Sequence, residues 1–335
     1  MTPTPSTTGI CAIGNAIVDV LAHATDDFLA AEGIAKGTMT LIDEDRAEAL
    51  YAKMGSAVES SGGSAANTVA GYASLGGKAS FIGKTRDDAL GKIFRHDMTA
   101  LGVTFTTPPA TQGPTTARCL VMVTPDAQRS MNTFLGASVE FGPADLNPAL
   151  IQAAAITYLE GYLFDKPQAQ QAFFQSVKIA NQAGRQIALT LSDPFCVHRH
   201  QEAFRDLIRS GIDIVFANQH ELMALTDTKD IAQAIAAVRG ECKLLVATMS
   251  ENGAFICPQN RDPIHIKAEP VKKLVDTTGA GDQYAAGVLY GLTHGHDLPT
   301  CGKLGAIAAA EIITHFGPRP ETSLAELVKP VLGKA

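Results

Sequence analysis

Short apolar runs alternate with longer amphipathic stretches along most of the chain. The apolar runs are bounded by glycine or polar residues and predict buried strands, whereas the amphipathic stretches predict helices. The predicted strands cover residues 10–13, 79–83, 155–158, 186–191, 214–217 and 243–248. The predicted helices cover residues 64–75, 88–101, 166–183, 199–210, 230–239, 285–292 and 300–314. This alternation predicts an α/β fold with a mainly parallel central sheet that is flanked by helices on both faces.

The alternation is interrupted between residues 103 and 135 by shorter strand-like pieces. Turns containing proline and glycine separate the pieces at 117–123 and 130–134, and further short strands are predicted at 38–42, 254–257 and 264–266. We therefore expect one unit over residues 9–335 with two parts. A large α/β domain takes about residues 9–14, 44–102 and 137–335, and a discontinuous small β-sheet lid takes about residues 15–43 and 103–136.

Composition and charge are those of a globular protein that binds small molecules. The 335 residues are 46% hydrophobic and 18% charged, with a net charge of −7 and no cluster of lysine and arginine, so we expect no nucleic-acid partner. No apolar run approaches the length of a membrane span, so no membrane partner is expected either. Residues 1–8 lack the basic and apolar segments of a signal peptide and are predicted to form a tail.

The cysteines and histidines do not form a recognisable metal or disulfide pattern. The six cysteines are scattered without a CxxC and most lie in apolar runs, which predicts buried reduced thiols and a cytoplasmic protein. The pairs His198/His200 and His294/His296 have no carboxylate or cysteine at ligand spacing, and we interpret them as solvated loops.

The polar, glycine-rich segment 276–282 (DTTGAGD) joins an apolar pair to a predicted helix. Gly279, Ala280 and Gly281 allow backbone N–H groups to converge at the helix start, where free donors and the helix dipole favour an anion such as a phosphoryl group. Asp282 lies just inside that helix and is placed to accept a proton from an attacking hydroxyl. In isolation the segment is also typical of a simple turn before an acidic helix start, so its meaning depends on the rest of the chain.

Two common nucleotide-binding motifs are excluded. Five residues separate Gly77 from the Gly83-Lys84-Thr85 triplet, whereas a Walker A loop requires four. Gly14 is not followed by a GxGxxG pattern, so a dinucleotide-binding dehydrogenase domain lacks its fingerprint.

Four stretches resemble, in order and spacing, the ribokinase-like (PfkB) family of carbohydrate and nucleoside kinases. Each taken singly is compatible with an ordinary turn, helix entry or capping box, but four in family order are specific. The resemblance spans residues 14–317. The stretches are Gly14-Asn15 through Asp19, Gly62-Gly63-Ser64-Ala65-Ala66-Asn67, Asn218-Gln219-His220-Glu221 and residues 276–282.

The resemblance implies transfer of the γ-phosphoryl group of ATP to a hydroxymethyl group, with Mg²⁺ as cofactor. Asp282 would be the general base, and the N–H groups of Gly279, Ala280 and Gly281 would stabilise the transferring phosphoryl group. Asp19 would accept hydrogen bonds from a sugar diol, while apolar lid residues would cover a base. The substrate-binding set so implied is Asn15, Ile17, Asp19, Gly63, Asn67 and Phe134.

The nucleotide and ion sites follow from the same resemblance. Residues 248–253 are similar to the family's nucleotide loop, although Ser250 stands where glycine is usual, and Glu221 would contact Mg²⁺ through water. Many relatives bind a monovalent cation such as K⁺ beside the anion site, and Asp276 matches its side-chain ligand. The implied ATP-binding set is Arg129, Asn218, Glu221, Thr248, Ser250, Gly253 and Gly281.

The residue after Gly62-Gly63 is Ser64, where many ribose and sugar-phosphate kinases of this family have lysine. We therefore expect the substrate to be adenosine or a related purine nucleoside, phosphorylated on its 5′-hydroxyl. A kinase of a free sugar of the ribose or fructose type is the first alternative. A non-catalytic sugar- or nucleoside-binding module is the second. Either a monomer or a homodimer is compatible with the segment 103–135.

Overall fold

The computed structural model of the chain describes residues 8–126 and 128–333. In that part of the chain the strands are β1 Thr8–Ile13, β2 Ile17–His23, β3 Met39–Leu41, β4 Ala57–Gly62, β5 Ala79–Ile82, β6 Thr104–Phe105, β7 Ala117–Val123, β8 Arg129–Phe134, β9 Ala154–Glu160, β10 Gln186–Thr190, β11 Ile214–Asn218, β12 Leu244–Thr248, β13 Ala254–Pro258 and β14 Ile264–Ile266.

Helices connect most of these strands. They are α1 Asp26–Ala31, α2 Glu44–Tyr51, α3 Ser64–Ser74, α4 Ala89–Ala100, α5 Pro148–Ala153, α6 Pro167–Gln182, α7 Pro194–Arg199, α8 Gln201–Arg209, α9 Gln219–Thr226, α10 Ile231–Arg239, α11 Ala280–Thr293, α12 Leu298–Ile312 and α13 Leu324–Leu332. Short 3₁₀ turns lie at Gly136–Glu140, Pro143–Asp145, Gly161–Asp165 and Ser250–Asn252.

The large sheet has the strand order β14-β13-β12-β11-β10-β9-β1-β5-β6, and its strands from β12 to β6 are parallel. Side chains of β1 alternate between two cores, with Ile10 and Ala12 in one and Cys11 and Ile13 in the other. Burial on both faces explains why this strand reads as a continuous apolar run. The predicted mainly parallel sheet, covered by helices on both faces, is confirmed.

The small sheet has the order β3-β8-β7-β2-β4. Strand β2 pairs in parallel with β7 and antiparallel with β4. Val18 and Val20 on β2 pack into the main core, whereas Ile17 and Leu21 lie on the opposite face with Cys119 of β7. One face of the small sheet is therefore anchored to the large domain, and the other faces a cavity.

Two strands fall on the other side of the predicted boundary between lid and large domain. Ala57–Gly62, expected in the large domain, pairs with β2 in the small sheet, because its Glu-Ser-Ser sequence suits an exposed edge strand and gives no apolar signal. Thr104–Phe105, expected in the lid, pairs with β5 in the large sheet, where Phe105 contacts Phe81.

Other differences from the sequence-based expectations are local. Helix α11 begins at Ala280 instead of residue 285, and α13 follows the last helix predicted from the sequence, at residues 300–314. Thr8, assigned to the tail, begins β1, and residues 1–7 lie outside the described part. All six cysteines are buried and free, as predicted. In residues 8–126 and 128–333, no helix is long and apolar enough to cross a membrane.

Candidate active site

The carboxyl ends of four adjacent parallel strands open into one cavity of about 630 Å³. The last residues of β9, β10, β11 and β12 are Glu160, Thr190, Asn218 and Thr248, and each lines this cavity. The small sheet forms the facing wall, and the first turn of α11 closes one end. The cavity lies where open α/β sheets generally bind ligands, beyond the carboxyl edge of the strands.

The start of α11 presents unpaired backbone donors to the cavity. Gly279 is the N-cap residue and has φ 73°, a left-handed conformation that favours glycine. The N–H of Ala280 donates to Thr277 O at 3.3 Å, whereas those of Gly279 and Gly281 meet no acceptor among the described residues. Two free donors therefore point from the positive end of a 14-residue helix, which suits an anionic group.

Asp282 is held beside these donors by two side chains of helix α3. Ser64 Oγ donates to Asp282 Oδ1 at 2.6 Å, and Asn67 Nδ2 donates to Oδ2 at 2.9 Å. Burial raises the pKa of the Asp282 carboxyl, and the bonds from Ser64 and Asn67 and the charge of Arg319 oppose that rise. A fixed carboxylate with a raised pKa, adjacent to an anion site, is suited to accept a proton from a hydroxyl.

Asp19 lies on β2 against the Gly62-Gly63 pair. A side chain at Gly62 would collide with the Asp19 carboxylate, and a Cβ at Gly63 would stand 2.5 Å from the carbonyl oxygen of Asn15. Burial raises the pKa of Asp19 to about 7, against the opposing charges of Arg319 and Arg129. The two glycines are thus needed for the close approach that brings Asp19, Asn15 and Asn67 to the same cavity.

Glu160 is a site residue that the sequence reasoning missed. Its Oε1 accepts from Asn15 N at 3.2 Å and from Asn15 Nδ2 at 2.8 Å, and its Oε2 accepts from Ala65 N at 2.7 Å. Burial raises its pKa to about 7. Glu160 therefore orients Asn15 and the start of helix α3. The sequence feature that could have identified Glu160 is its place as an acidic residue directly after a buried apolar strand.

Arg319 was also missed, and it is a half-buried cation that binds backbone groups next to the site. Its guanidinium donates to Ser61 O, at 3.0 Å from Nε and 2.6 Å from Nη2, and to Ala66 O at 2.6 Å from Nη1. Burial lowers its pKa to about 10, while the charges of Asp19 and Asp282 oppose that shift. The sequence feature that could have identified Arg319 is its position between Pro318 and Pro320.

Asn218 and Glu221 form a capping box at the start of α9 and also line the cavity. Asn218 N donates to Glu221 Oε2 at 2.9 Å, and Asn218 Nδ2 donates to Oε1 at 2.6 Å. Burial raises the pKa of Glu221 to about 7. Of the residues in the predicted nucleotide loop, Thr248 lines the cavity, whereas Ser250 and Gly253 do not. Their contact with ATP stays a prediction.

Asp276 and Arg129, which the resemblance assigned to different ligands, contact each other. Arg129 Nε lies 2.6 Å from Asp276 Oδ1. The same Oδ1 accepts from Thr278 N at 2.9 Å and from Thr278 Oγ1 at 2.6 Å, and Oδ2 accepts from Gly317 N at 3.0 Å. Asp276 Oδ1 therefore carries three donors from the protein, one of them a cation, and Oδ2 carries one.

The wall formed by the small sheet carries a group of apolar side chains in addition to Asp19, Arg129 and Thr133. The apolar residues of this group are Ile17, Met39, Leu41, Met131 and Leu135. Phe134, expected to cover the substrate, is not among the lining residues. Strand alternation explains this correction, because Arg129, Met131 and Thr133 line the cavity and Phe134 belongs to the opposite face of β8.

A half-buried carboxylate beside free N–H donors, at the carboxyl edge of a parallel sheet, is the arrangement of a phosphotransferase with an alcohol group as acceptor. The chain belongs to the pfkB family of carbohydrate kinases, whose family model matches residues 27–324.

Two solved structures and one further relative match nearly the whole chain. An adenosine kinase from Sinorhizobium meliloti is 49% identical with a TM-score of 0.92, over 97% of this chain and 100% of its own. A probable sugar kinase from Rhizobium etli is 48% identical with a TM-score of 0.92, over 97% of this chain and 99% of its own. The adenosine kinase of Saccharomyces cerevisiae is 26% identical, over 93% of this chain and 96% of its own.

Proposed function

We propose that this kinase transfers the γ-phosphoryl group of ATP to the 5′-hydroxyl of adenosine or a closely related purine nucleoside. The observation that carries the proposal is the group of apolar side chains on the small sheet, which lines the same cavity as the polar groups of Asp19 and Asn67. Leu41 is 48% exposed and Met39 is 37% exposed on that wall. A base needs apolar cover of this kind, whereas a free sugar needs polar partners around its whole surface.

The residues of the site can perform the transfer as follows. The Asp282 carboxylate takes the proton of the 5′-hydroxyl as its oxygen forms a bond to the γ-phosphorus, and the bond from that phosphorus to the bridging oxygen of ATP breaks to release ADP. The N–H groups of Gly279 and Gly281 stabilise charge on the transferring group. Asp19 and Asn67 hold the ribose hydroxyls, so that the reacting oxygen is fixed beside Asp282.

Glu221 fits the proposed role toward Mg²⁺. Its carboxylate lines the cavity and already accepts from Asn218, which leaves lone pairs for the water molecules that Mg²⁺ usually keeps. Bound Mg²⁺ would neutralise charge on the phosphates of ATP. In the described ranges no group of three or more histidine, cysteine, aspartate or glutamate residues forms a metal cage. The proposed ion is accordingly held by ATP and by water-mediated contact.

We further propose that the small sheet acts as a lid. Substrate bound between Asp19 on β2 and Asp282 on α11 would draw the two sheets together and exclude water from the reacting groups. Hydrogen exchange with and without the nucleoside tests this proposal, and added protection is expected in β2, β3, β7 and β8. Protection limited to residues 218–281 would refute the lid.

The alternatives differ from the proposal in measurable ways. A kinase of a free sugar is favoured by the similarity to the probable sugar kinase of Rhizobium etli. Such an enzyme would turn over ribose or fructose and leave adenosine unreacted. A non-catalytic binding module would have no use for the carboxylate of Asp282 beside the free N–H donors.

The decisive experiment compares kcat/KM for adenosine, ribose and fructose with ATP as donor. Adenosine should be preferred, and Leu41→Ser should raise its KM because a hydroxymethyl group covers the base poorly. Val58→Ser is the matched control, since Val58 is 68% exposed in the same sheet and does not line the cavity. Clear turnover of a free sugar without turnover of adenosine would refute the proposed substrate.

A further inference from the structure

The ion pair of Arg129 and Asp276 stands where the family resemblance leads one to expect a monovalent cation. The side chains are 14% and 1% exposed, so the pair is shielded from water. Asp276 Oδ1 takes the guanidinium and two donors from Thr278, and Oδ2 takes the N–H of Gly317. A metal ion on the remaining lone pair of Oδ2 would stand close to the guanidinium charge on Oδ1 and be repelled by it, so this donor set does not fit a metal ion.

We propose that Arg129 is the built-in cation of the phosphoryl-transfer site, occupying Asp276 in place of a monovalent metal ion, and that catalysis is therefore independent of K⁺ and Na⁺. The inference rests on the proposed phosphoryl transfer and reverses the expectation that Asp276 binds a monovalent cation such as K⁺. Asp276 begins the segment whose glycine N–H groups form the anion site, and a positive charge at that carboxylate holds the segment in place.

An arginine at this position also links two parts of the fold, which a dissolved ion does not do. Arg129 belongs to β8 of the small sheet, and Asp276 belongs to the loop before α11. The Nη1 group of Arg129 is buried and meets no hydrogen-bond partner within the described ranges, although Arg129 lines the cavity. The guanidinium therefore ties the small sheet to the anion loop and keeps a free donor for an incoming phosphate.

The first test uses the wild-type protein. Initial rates are measured in choline chloride and in KCl or NaCl at constant ionic strength, with adenosine and each sugar as acceptor. The expected result is the same rate in all three salts. A rate that rises with KCl in an active wild-type enzyme overturns the inference. Absence of turnover with every acceptor refutes the proposed function instead, which keeps the two failures distinct.

The second test removes the arginine. Arg129→Ala should lower kcat roughly 10²-fold, the usual cost of removing one group that stabilises the transition state, and KCl or guanidinium chloride should restore part of the loss. KCl should also raise the melting temperature of this variant relative to choline chloride, because a cation can now bind at the vacated Asp276. This comparison of melting temperatures does not depend on catalytic activity.

Arg118→Ala is the matched control for that variant. Arg118 lies on the neighbouring strand β7 with a side chain 13% exposed, contacts Glu48 at 3.8 Å and does not line the cavity. Its rate and its melting temperature should not respond to KCl. An Arg129→Ala enzyme that behaves like this control, or that regains nothing with either cation, contradicts the assignment of Arg129 as the internal cation.

Discussion

The hydroxyl of Ser64 should set the pH range in which Asp282 works as a base. Protonated Asp282 cannot accept the proton of the substrate hydroxyl, so activity is lost as pH falls through its pKa. The bond from Ser64 stabilises the charged carboxylate and lowers that pKa, against the larger effect of burial. Ser64→Ala removes the bond, raises the pKa further and moves the acid limb of the profile to higher pH.

The size of the shift of the acid limb follows from the geometry of the bond between Ser64 and Asp282. The contact of 2.6 Å joins a hydroxyl to a charged acceptor, and such bonds contribute about 1.5–3 kcal/mol. The lower end applies, because the adjoining cavity lets water reach the vacated position. At about 1.4 kcal/mol per pH unit, the acid limb should move by roughly one unit. Activity should fall about tenfold on the acid side and change little on the alkaline plateau.

The assay is kcat/KM for adenosine between pH 5 and 9, with the same profile recorded for Ser74→Ala. Ser74 ends the same helix and accepts from Leu324 N at 3.0 Å, without contact to Asp282, so its loss should leave the profile in place. A Ser64→Ala enzyme with an unmoved acid limb, or one slowed equally at every pH, would show that Ser64 does not act through Asp282.

Three other substitutions test separate parts of the site. Asp282→Asn should lower kcat roughly 10²–10⁴-fold without changing the melting temperature, because an amide of equal size still accepts from Asn67; wild-type turnover would remove the base from the mechanism. Gly62→Ala should raise KM for the nucleoside far more than it lowers kcat, because the added methyl displaces Asp19, and an unchanged KM would exclude Asp19 from substrate binding. Glu160→Gln should lower the free energy of unfolding by about 1–3 kcal/mol in urea titrations, because its amide opposes a backbone donor. The folded-state pKa of Glu160, about 7, lies above the ordinary glutamate value of 4.5, so the stability that this group contributes to the wild type is present below pH 4.5 and is lost as pH rises through 7. The deficit of the variant should accordingly be larger at pH 5 than at pH 8.

The parts of the fold that could be predicted are those in which local pattern and tertiary burial agree. Strand β11 is apolar because helices cover both of its faces, so its pattern alone identified it. Strand β4, with the sequence AVESSG, is specified by pairing with β2 and not by its own composition. The two-residue strand β6 is too short to carry a periodic signal.

The same distinction holds for the candidate site. Asp282 and Gly63 were predictable because the chemistry of the site restricts which residue types can stand at these two positions. Glu160 and Arg319 act on backbone groups 95 and 258 positions away in the chain, and no pattern near either residue reports such contacts. Phe134 was misplaced because membership of a strand does not reveal which face meets the cavity.

The interleaving of the two sheets limits how this protein can change its specificity. The chain leaves the large sheet after Ile13 and enters the small sheet at Ile17, and it passes between the sheets again before β5, β7 and β9. No single stretch of chain can be exchanged for another to replace the cavity wall. New acceptors must arise by substitution at individual wall positions such as Leu41 and Met131, one side chain at a time, on strands whose backbone also completes the fold.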